Sequence, residues 1–128
     1  MKRMFKVAPS LALLIALACP LIASADYLDV IEFKIKDGCT MTKYLDIVKD
    51  FNVLVEPKGY KAEILAPFYG SNLESLIWVG RSKDIESFGK GSNAYYQAGA
   101  DANTAEGKLS ARFRDCSTNI ARRSYRTR

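Results

Sequence analysis

The run Leu76-Ile77-Trp78-Val79-Gly80 restricts the fold more than any other stretch of this sequence, because every position in it is apolar. A strand with one face in water alternates between apolar and polar side chains, whereas a strand covered on both faces does not. The run therefore predicts the central strand of a sheet that is covered on both sides.

A strand and a helix precede this central strand. Residues 29–36 alternate between apolar and polar side chains and predict a first strand. The apolar face of this strand comprises Ile31, Phe33 and Ile35. Thr40 is a suitable N-cap for a helix that Pro57 and Gly59 would end. The helix has one apolar stripe at spacings of three and four residues, formed by Met41, Leu45, Val48, Phe51 and Val55.

Three further elements complete the pattern. Residues 60–69 predict a strand, and Pro67 places it at a sheet edge because proline donates no hydrogen bond to a neighbouring strand. Ser82 is a candidate cap for a second helical region, which its glycines divide into one broken helix or two short ones between about 83 and 114. Residues 117–125 predict the last strand.

The order strand, helix, strand, strand, helix, strand is that of the split βαβ, ferredoxin-like arrangement. We therefore predict an α+β fold with a four-stranded antiparallel sheet of order 4-1-3-2 and helices on one face. The other face also needs a cover, because Val30, Ile77 and Val79 are apolar. A second copy packed sheet to sheet would provide it, so we expect a symmetric homodimer.

The first 25 residues have the composition of a secretory signal peptide. Basic residues among the first six precede an apolar stretch, residues 7–22, and an A-x-A sequence, residues 23–25. We expect cleavage after Ala25. Residues 26–128 would then form a single domain in a periplasmic or secreted protein.

Two alternatives apply to this leader. A membrane anchor is one, although Pro9 and Pro20 interrupt the apolar stretch and it is short for a span. A lipoprotein modified at Cys19 is the other, although residues 16–20 resemble the lipobox poorly.

Two cysteines, Cys39 and Cys116, remain after the leader. An even count in an oxidising compartment points to a disulfide. Cys39 follows the first predicted strand and Cys116 precedes the fourth, and these strands are antiparallel neighbours in the predicted sheet. A bond closing so long a loop would stabilise the fold by about 4 kcal/mol. The alternative is that Cys39 is a reactive thiolate at a helix N-terminus.

The sequence contains no histidine. This excludes a histidine-ligated haem, a histidine-based catalytic triad and the common histidine-containing zinc sites. No metal-ligand spacing, phosphate-binding loop or nucleophile elbow is present either. We therefore expect no cofactor and no metal site.

Positive charge is concentrated near the C-terminus. Residues 26–128 carry a net charge of +2, but residues 108–128 alone carry +6. Such a segment can bind nucleic acid or anionic lipid, or can form a solvated edge that blocks aggregation. For an exported protein we expect no nucleic-acid partner, and membrane binding only through these arginines.

A ligand cavity in such a domain would lie between the sheet and its helices. The candidate lining residues are Trp78, Phe68, Tyr44, Asn93, Tyr95 and Tyr96. Each aromatic residue among them suits a core or an interface equally well. Because Tyr95 and Tyr96 are adjacent on a helix, at most one of them should face a given pocket.

Three stretches carry a family resemblance: "VIEFKIKDG" (30–38), "LIWVGRSKDIESFG" (76–89) and "NAYYQ" (93–97). Together with the first helix they resemble the dimeric α/β-barrel superfamily of ferredoxin-like domains, and the resemblance covers nearly all of residues 26–128. That superfamily includes cofactor-independent monooxygenases of the antibiotic-biosynthesis type, haem enzymes and many small proteins of unknown role. The resemblance implies polar and aromatic pocket residues, a role that Trp78 and Asn93 could fill, whereas the haem branches' ligand histidine has no counterpart.

Three functions follow as hypotheses. The first is a non-catalytic exported module that binds a small apolar or aromatic ligand, or another protein. The second is a cofactor-independent monooxygenase-like enzyme acting on a small aromatic substrate. The third is binding of anionic lipid or another polyanion through the arginine-rich C-terminus. The fold alone does not choose among them.

Overall fold

The computed structural model describes residues 26–70 and 72–127. The predicted signal peptide and Cys19 lie outside these residues, so the leader stays a prediction. The helices and strands are β1 (Tyr27–Ile35), α1 (Met41–Val55), β2 (Tyr60–Leu65), β3 (Leu76–Ser82), α2 (Ile85–Gly99), α3 (Ala105–Cys116) and β4 (Ser117–Arg126), with one 3-10 turn (Glu56–Lys58) after α1.

The four strands form one antiparallel sheet in the order β2-β3-β1-β4. This is the predicted order 4-1-3-2 counted from the other edge, and the predicted α+β ferredoxin-like fold is confirmed. The apolar strand β3 lies inside the sheet, between β2 and β1. Strand β2, which Pro67 assigned to an edge, forms one.

The hydrophobic core lies between one face of the sheet and the helices. Phe33 from β1 and Trp78 from β3 meet Ile47 from α1 and Leu109 from α3 there, and all four side chains are buried. Among the described residues no helix has the length and apolarity that a membrane crossing requires.

Helix α1 begins after the predicted cap, because the Thr40 side chain accepts a hydrogen bond from the backbone N–H of Lys43. Its buried face differs from the predicted stripe at one turn. Leu45 is 45% exposed, whereas Tyr44 and Ile47 are buried. Positions 44 and 45 both fit the spacing, and Tyr44 is the buried one because its ring stacks on Phe33 at 4.6 Å between ring centroids.

The helical region after β3 is two helices, α2 and α3, as the glycines predicted. The predicted cap for α2 was wrong. Ser82 is the last residue of β3 and is buried, and Asp84 caps α2 by accepting a hydrogen bond from the N–H of Ser87 at 2.7 Å. Strand β2 also ends earlier than predicted, at Leu65, before the proline.

The predicted disulfide is present. Cys39 and Cys116 are bonded, with their Cα atoms 5.2 Å apart and 77 positions apart in the sequence. They meet because Ile35 at the end of β1 pairs with Ser117 at the start of β4. The bond therefore links the turn after β1 to the junction of α3 and β4.

The face of the sheet opposite the helices is apolar at its centre. Val30 pairs with Val79 there, and Ile77 pairs with Leu65 on the neighbouring strand. Charged side chains flank this centre. Arg81 and Glu63 form an ion pair there, with Nε 3.9 Å from the carboxylate oxygen. Glu63 on β2 is the residue that pairs with Val79 on β3.

Candidate functional site

A cavity of about 680 Å³ lies between the helix-covered face of the sheet and the three helices. Its volume is in the range of small-molecule binding sites. The wall is mainly aromatic. Phe51 lies at its centre, with ring centroids 5.1 Å from Trp78, 5.3 Å from Tyr95 and 5.8 Å from Phe113.

Four of the six predicted pocket residues line this cavity, namely Tyr44, Trp78, Tyr95 and Tyr96. The expectation that only one of the two adjacent tyrosines would face a pocket was wrong. The cavity is wide enough that the half-buried ring of Tyr95 forms its wall while the more exposed Tyr96 reaches its rim.

Phe68 and Asn93 are not among the residues that line the cavity. Phe68 lies beyond the early end of β2 and is fully exposed, so the alternation that would turn it inward no longer applies. Helix α2 faces the cavity at positions spaced three, four and seven residues apart, including Phe88, Gly91 and Tyr95. Asn93 falls between these positions and is exposed.

The polar wall of the cavity is built around an ion pair between a buried carboxylate and a partly exposed arginine. Asp29 on β1 is 1% exposed, and its two carboxylate oxygens accept hydrogen bonds from Arg122 on β4. Arg122 Nε donates to Oδ1 at 2.7 Å and Nη2 donates to Oδ2 at 2.8 Å. This two-bond geometry is the strongest form of an arginine–carboxylate pair, and it compensates the carboxylate for its loss of water.

Two aromatic side chains extend this network across the sheet. The Tyr60 hydroxyl donates to Asp29 Oδ2 at 3.1 Å and accepts a hydrogen bond from Trp78 Nε1 at 2.8 Å. Gly80 makes room for the phenol, because a Cβ atom there would lie 1.7 Å from the Tyr60 hydroxyl oxygen. The glycine in the apolar run is therefore needed where the tyrosine crosses β3.

A β-bulge directs Arg122 into the cavity. Along β4, Asn119 pairs with Phe33 and Ala121 pairs with Glu32, so Ile120 is an extra residue without a partner in the ladder. Because side chains alternate along a strand, the extra residue moves Arg122 to the helix-covered face. Arg122 therefore does not belong to the outward basic surface that the arginine-rich C-terminus suggested.

Burial and hydrogen bonding hold these groups in fixed protonation states. Burial raises the pKa of the Tyr60 phenol well above its usual value, and burial also raises the pKa of Tyr95. The hydrogen bonds to Asp29 raise the pKa of the Arg122 guanidinium. Both phenols therefore stay neutral and Arg122 stays cationic across the physiological pH range.

The site is rich in hydrogen-bond donors. Three N–H groups of Arg122 are engaged, two by Asp29 and one by the hydroxyl of Tyr96 at 3.3 Å, and a guanidinium has five. The remaining N–H groups and the Tyr96 O–H are suited to an oxygen acceptor on a ligand. Asp29 accepts hydrogen bonds from three donors, two N–H groups of Arg122 and the hydroxyl of Tyr60.

Within the described residues, no group of three or more cysteine, aspartate or glutamate side chains is placed to hold a metal ion.

The sequence pattern did not predict Asp29, Tyr60 and Arg122 as cavity residues. A signal existed for Asp29, because its spacing from Ile31 and Phe33 places the carboxylate on the core face of the first strand. Arg122 had no such signal, since only the bulge turns it inward.

No family profile and no curated protein matches this sequence. Among solved structures, SnoaB, a cofactor-independent oxygenase from Streptomyces nogalater, aligns with a TM-score of 0.58 and 11% identity over 81% of this chain and 94% of its own. A protein of Arabidopsis thaliana aligns with a TM-score of 0.50 and 13% identity over 81% of this chain and 93% of its own. A dimeric protein of unknown function and ferredoxin-like fold from Bacteroides fragilis aligns at 0.41 and 10% identity over 79% and 93%.

At these identities the likeness concerns the fold. The chain has the ferredoxin-like α+β fold that the sequence predicted.

Proposed function

We propose that this protein is an exported binding module that takes up a small, largely apolar or aromatic molecule carrying an oxygen acceptor. One observation carries the proposal above the others: a buried carboxylate, Asp29, holds the partly exposed guanidinium of Arg122 in the wall of an aromatic cavity. A buried carboxylate is costly to maintain, and a fold of this size can be stabilised without one. The pair instead fixes the orientation of the guanidinium, so that its free N–H groups meet the ligand.

The ligand class follows from what the wall offers. Trp78, Phe51 and Phe113 provide apolar contact area, and Arg122 with Tyr96 provides donors at one edge. A hydrocarbon would leave those donors unpaired, whereas a carbonyl or phenolate oxygen would satisfy them. We therefore expect an aromatic ketone, quinone or phenol to bind better than the matching hydrocarbon.

The experiment uses the chain's only tryptophan, which lines the cavity and gives a single indole N–H resonance. Binding of 1-acetonaphthone and of 1-ethylnaphthalene is followed through that Trp78 resonance in a ¹⁵N-labelled sample. The ketone should bind several-fold more tightly, and Arg122→Gln should remove the difference.

The matched control for this experiment is Arg112→Gln. It breaks an exposed arginine–aspartate pair, between Arg112 and Asp50 at 2.7 Å, outside the cavity. This variant should keep the preference for the ketone. Equal affinity for the two probes in the wild-type protein would contradict the proposed donor role, and the absence of binding by either would contradict the cavity's role as a ligand site.

A second candidate function is oxygenation without a cofactor. It is favoured by the likeness to SnoaB and by the position of Arg122, whose N–H groups could stabilise an enolate or phenolate as negative charge develops on its oxygen. Both carboxylate oxygens of Asp29 already accept hydrogen bonds from Arg122 or Tyr60, so this candidate suits a substrate that is itself acidic. Oxygen uptake with a panel of phenols tests this candidate, and an unchanged oxygen level across the panel would contradict it.

Export and dimer formation complete the proposal. Export is supported by the leader-like residues 1–25 and by the disulfide. A homodimer is supported by the apolar centre of the open sheet face, where Val30, Ile77 and Val79 lie. Sedimentation velocity should give a dimer that Ile77→Glu converts to a monomer, and a wild-type monomer at micromolar concentration would contradict the dimer.

A further inference from the structure

We propose that Lys36 and Arg114 form an anion subsite at a second end of the cavity, so that its ligand is an apolar or aromatic molecule with a carboxylate or sulfonate group. This inference rests on the proposed function and specifies the ligand class further. The residues that line the cavity include four cations and one carboxylate, Asp29.

Two of the four cations are already neutralised. Arg122 pairs with Asp29, and Lys58 Nζ lies 3.3 Å from an oxygen of Glu106. Lys36 and Arg114 have no carboxylate partner among the described residues. The cavity lining therefore has an excess of positive charge, which comes from Lys36 and Arg114.

Lys36 and Arg114 lie together because two elements end side by side. Lys36 follows β1, its backbone N–H donates to the carbonyl oxygen of Cys116 at 2.9 Å, and its Nζ donates to the carbonyl oxygen of Arg114 at 2.5 Å. The Cys39–Cys116 disulfide joins the same two segments. The Lys36 side chain and the backbone of Arg114 are thus fixed beside each other at the rim.

The subsite is separate from the donors at Arg122. Arg122 pairs with Ile31 on β1, whereas Ser117, beside the subsite, pairs with Ile35. Ile31 and Ile35 are four residues apart along the strand, a distance of about 13 Å. Tyr44 and Phe113 lie in the cavity wall, and their ring centroids are 5.8 Å apart. An elongated molecule could place its apolar body against these rings with an anionic group at Lys36 and Arg114.

The rim beside the two cations adds neutral donors. Thr118 and Asn119 at the start of β4 also line the cavity, beside Ser117, whose hydroxyl already donates to the carbonyl oxygen of Phe113 at 3.1 Å. Hydroxyl and amide donors beside a cationic pair favour a carboxylate or sulfonate, which can accept several hydrogen bonds at once.

The test uses two fluorescent probes that differ by one anionic group: 1-anilinonaphthalene-8-sulfonate and its uncharged analogue N-phenyl-1-naphthylamine. The sulfonate should bind the wild-type protein about tenfold more tightly, the factor expected when two partly exposed cations each contribute a modest share. The preference should shrink as salt is added. The variant carrying Lys36→Gln with Arg114→Gln should bind both probes equally, since glutamine can still donate to the carbonyl that Lys36 contacts.

The matched control carries Lys43→Gln with Lys108→Gln. It removes the same two charges from exposed positions on α1 and α3 that do not line the cavity, and it should keep the preference for the sulfonate. Binding of the neutral probe with no gain for the sulfonate overturns the subsite and leaves the proposed function standing. Binding of neither probe overturns both.

Discussion

Replacing Gly80 with alanine should break the hydrogen-bond network of the cavity wall although none of the residues that form the network is replaced. The new Cβ atom would lie 1.7 Å from the hydroxyl oxygen of Tyr60 and 2.1 Å from the ring carbon that carries it. Neither distance can be relieved by a small shift, so the phenol must leave its place. Asp29 and the indole N–H of Trp78 then each lose a hydrogen bond.

The expected loss of stability follows from those two bonds. A hydrogen bond to a charged group contributes about 1.5–3 kcal/mol, and a buried N–H left without a partner costs about 1–3 kcal/mol. Replacing glycine by alanine within a strand stabilises the folded state by about 0.5–1 kcal/mol, which offsets part of this loss. Gly80→Ala should therefore lower the free energy of unfolding by about 2–5 kcal/mol, a large part of the stability of a domain of this size.

Urea unfolding under non-reducing conditions, followed by tryptophan fluorescence, measures this difference. The chain's single tryptophan, Trp78, lies in the affected network, so its indole N–H resonance should also shift in the folded variant. Gly89→Ala in α2 is the matched control. A Cβ there would meet nothing within 4 Å, so this variant should be more stable by about 0.5–1 kcal/mol.

A double-mutant cycle decides whether the steric argument is correct. In a Tyr60→Ala background the phenol is already absent, so Gly80→Ala should cost nothing there and should return the small backbone gain. The same loss in both backgrounds would show that Gly80 acts through the strand itself and not through Tyr60, which would refute the reasoning.

Three further predictions follow from the structure. Replacing Cys39 and Cys116 by serine should lower the free energy of unfolding by about 4 kcal/mol in urea, and free thiols at both positions in the unreduced protein would contradict the bond. Burial raises the pKa of Tyr44 to about 12, so its contribution to stability is complete below pH 10 and is lost as the pH rises toward 12. The pKa values of Tyr60 and Tyr95 are also raised, so alkaline titration at 295 nm should show several late phenols, and Tyr44→Phe should remove the one that titrates near pH 12. Arg122→Gln leaves the buried carboxylate of Asp29 without its arginine and should lower the free energy of unfolding by about 2–4 kcal/mol. Arg112→Gln, at an exposed pair, should lower it by less than about 1 kcal/mol. Equal losses in the two variants would contradict the difference in burial.

The order of the elements and the order of the strands could be predicted from the sequence, because both depend on patterns that run over many residues. The continuous apolar run correctly gave β3 an inner position. Strand β2 is at an edge as predicted, although Pro67, on which that prediction rested, lies beyond its end. The cysteines were paired correctly for the same reason, since strand order alone brings their two segments together. A prediction of element order or strand order stays correct even when the end of a helix or strand is misplaced by one or two residues.

The cavity wall depends on single positions and was harder to predict. Phe68 was expected in the wall because β2 was assumed to run to residue 69, and the strand ends four residues sooner. Leu45 was placed in the stripe of α1 because it fits the helical spacing as well as Tyr44 does. The strand ends before Pro67, so Phe68 has no strand partner to turn it inward. In α1 the contact of Tyr44 with Phe33 on β1 made the choice, and the local pattern does not contain that contact.

Three departures from regular strand pattern meet at this one wall. Asp29 is a charge on the core face of β1, Gly80 is a gap in an apolar strand, and Ile120 is an extra residue in β4. Each departure weakens a sheet when taken alone, because it buries a charge, removes a packing side chain or interrupts a ladder. Together they have one result: Arg122 is held against Asp29 with its remaining N–H groups toward the cavity. A binding role accounts for all three departures at once, whereas a purely structural role would have to explain each separately.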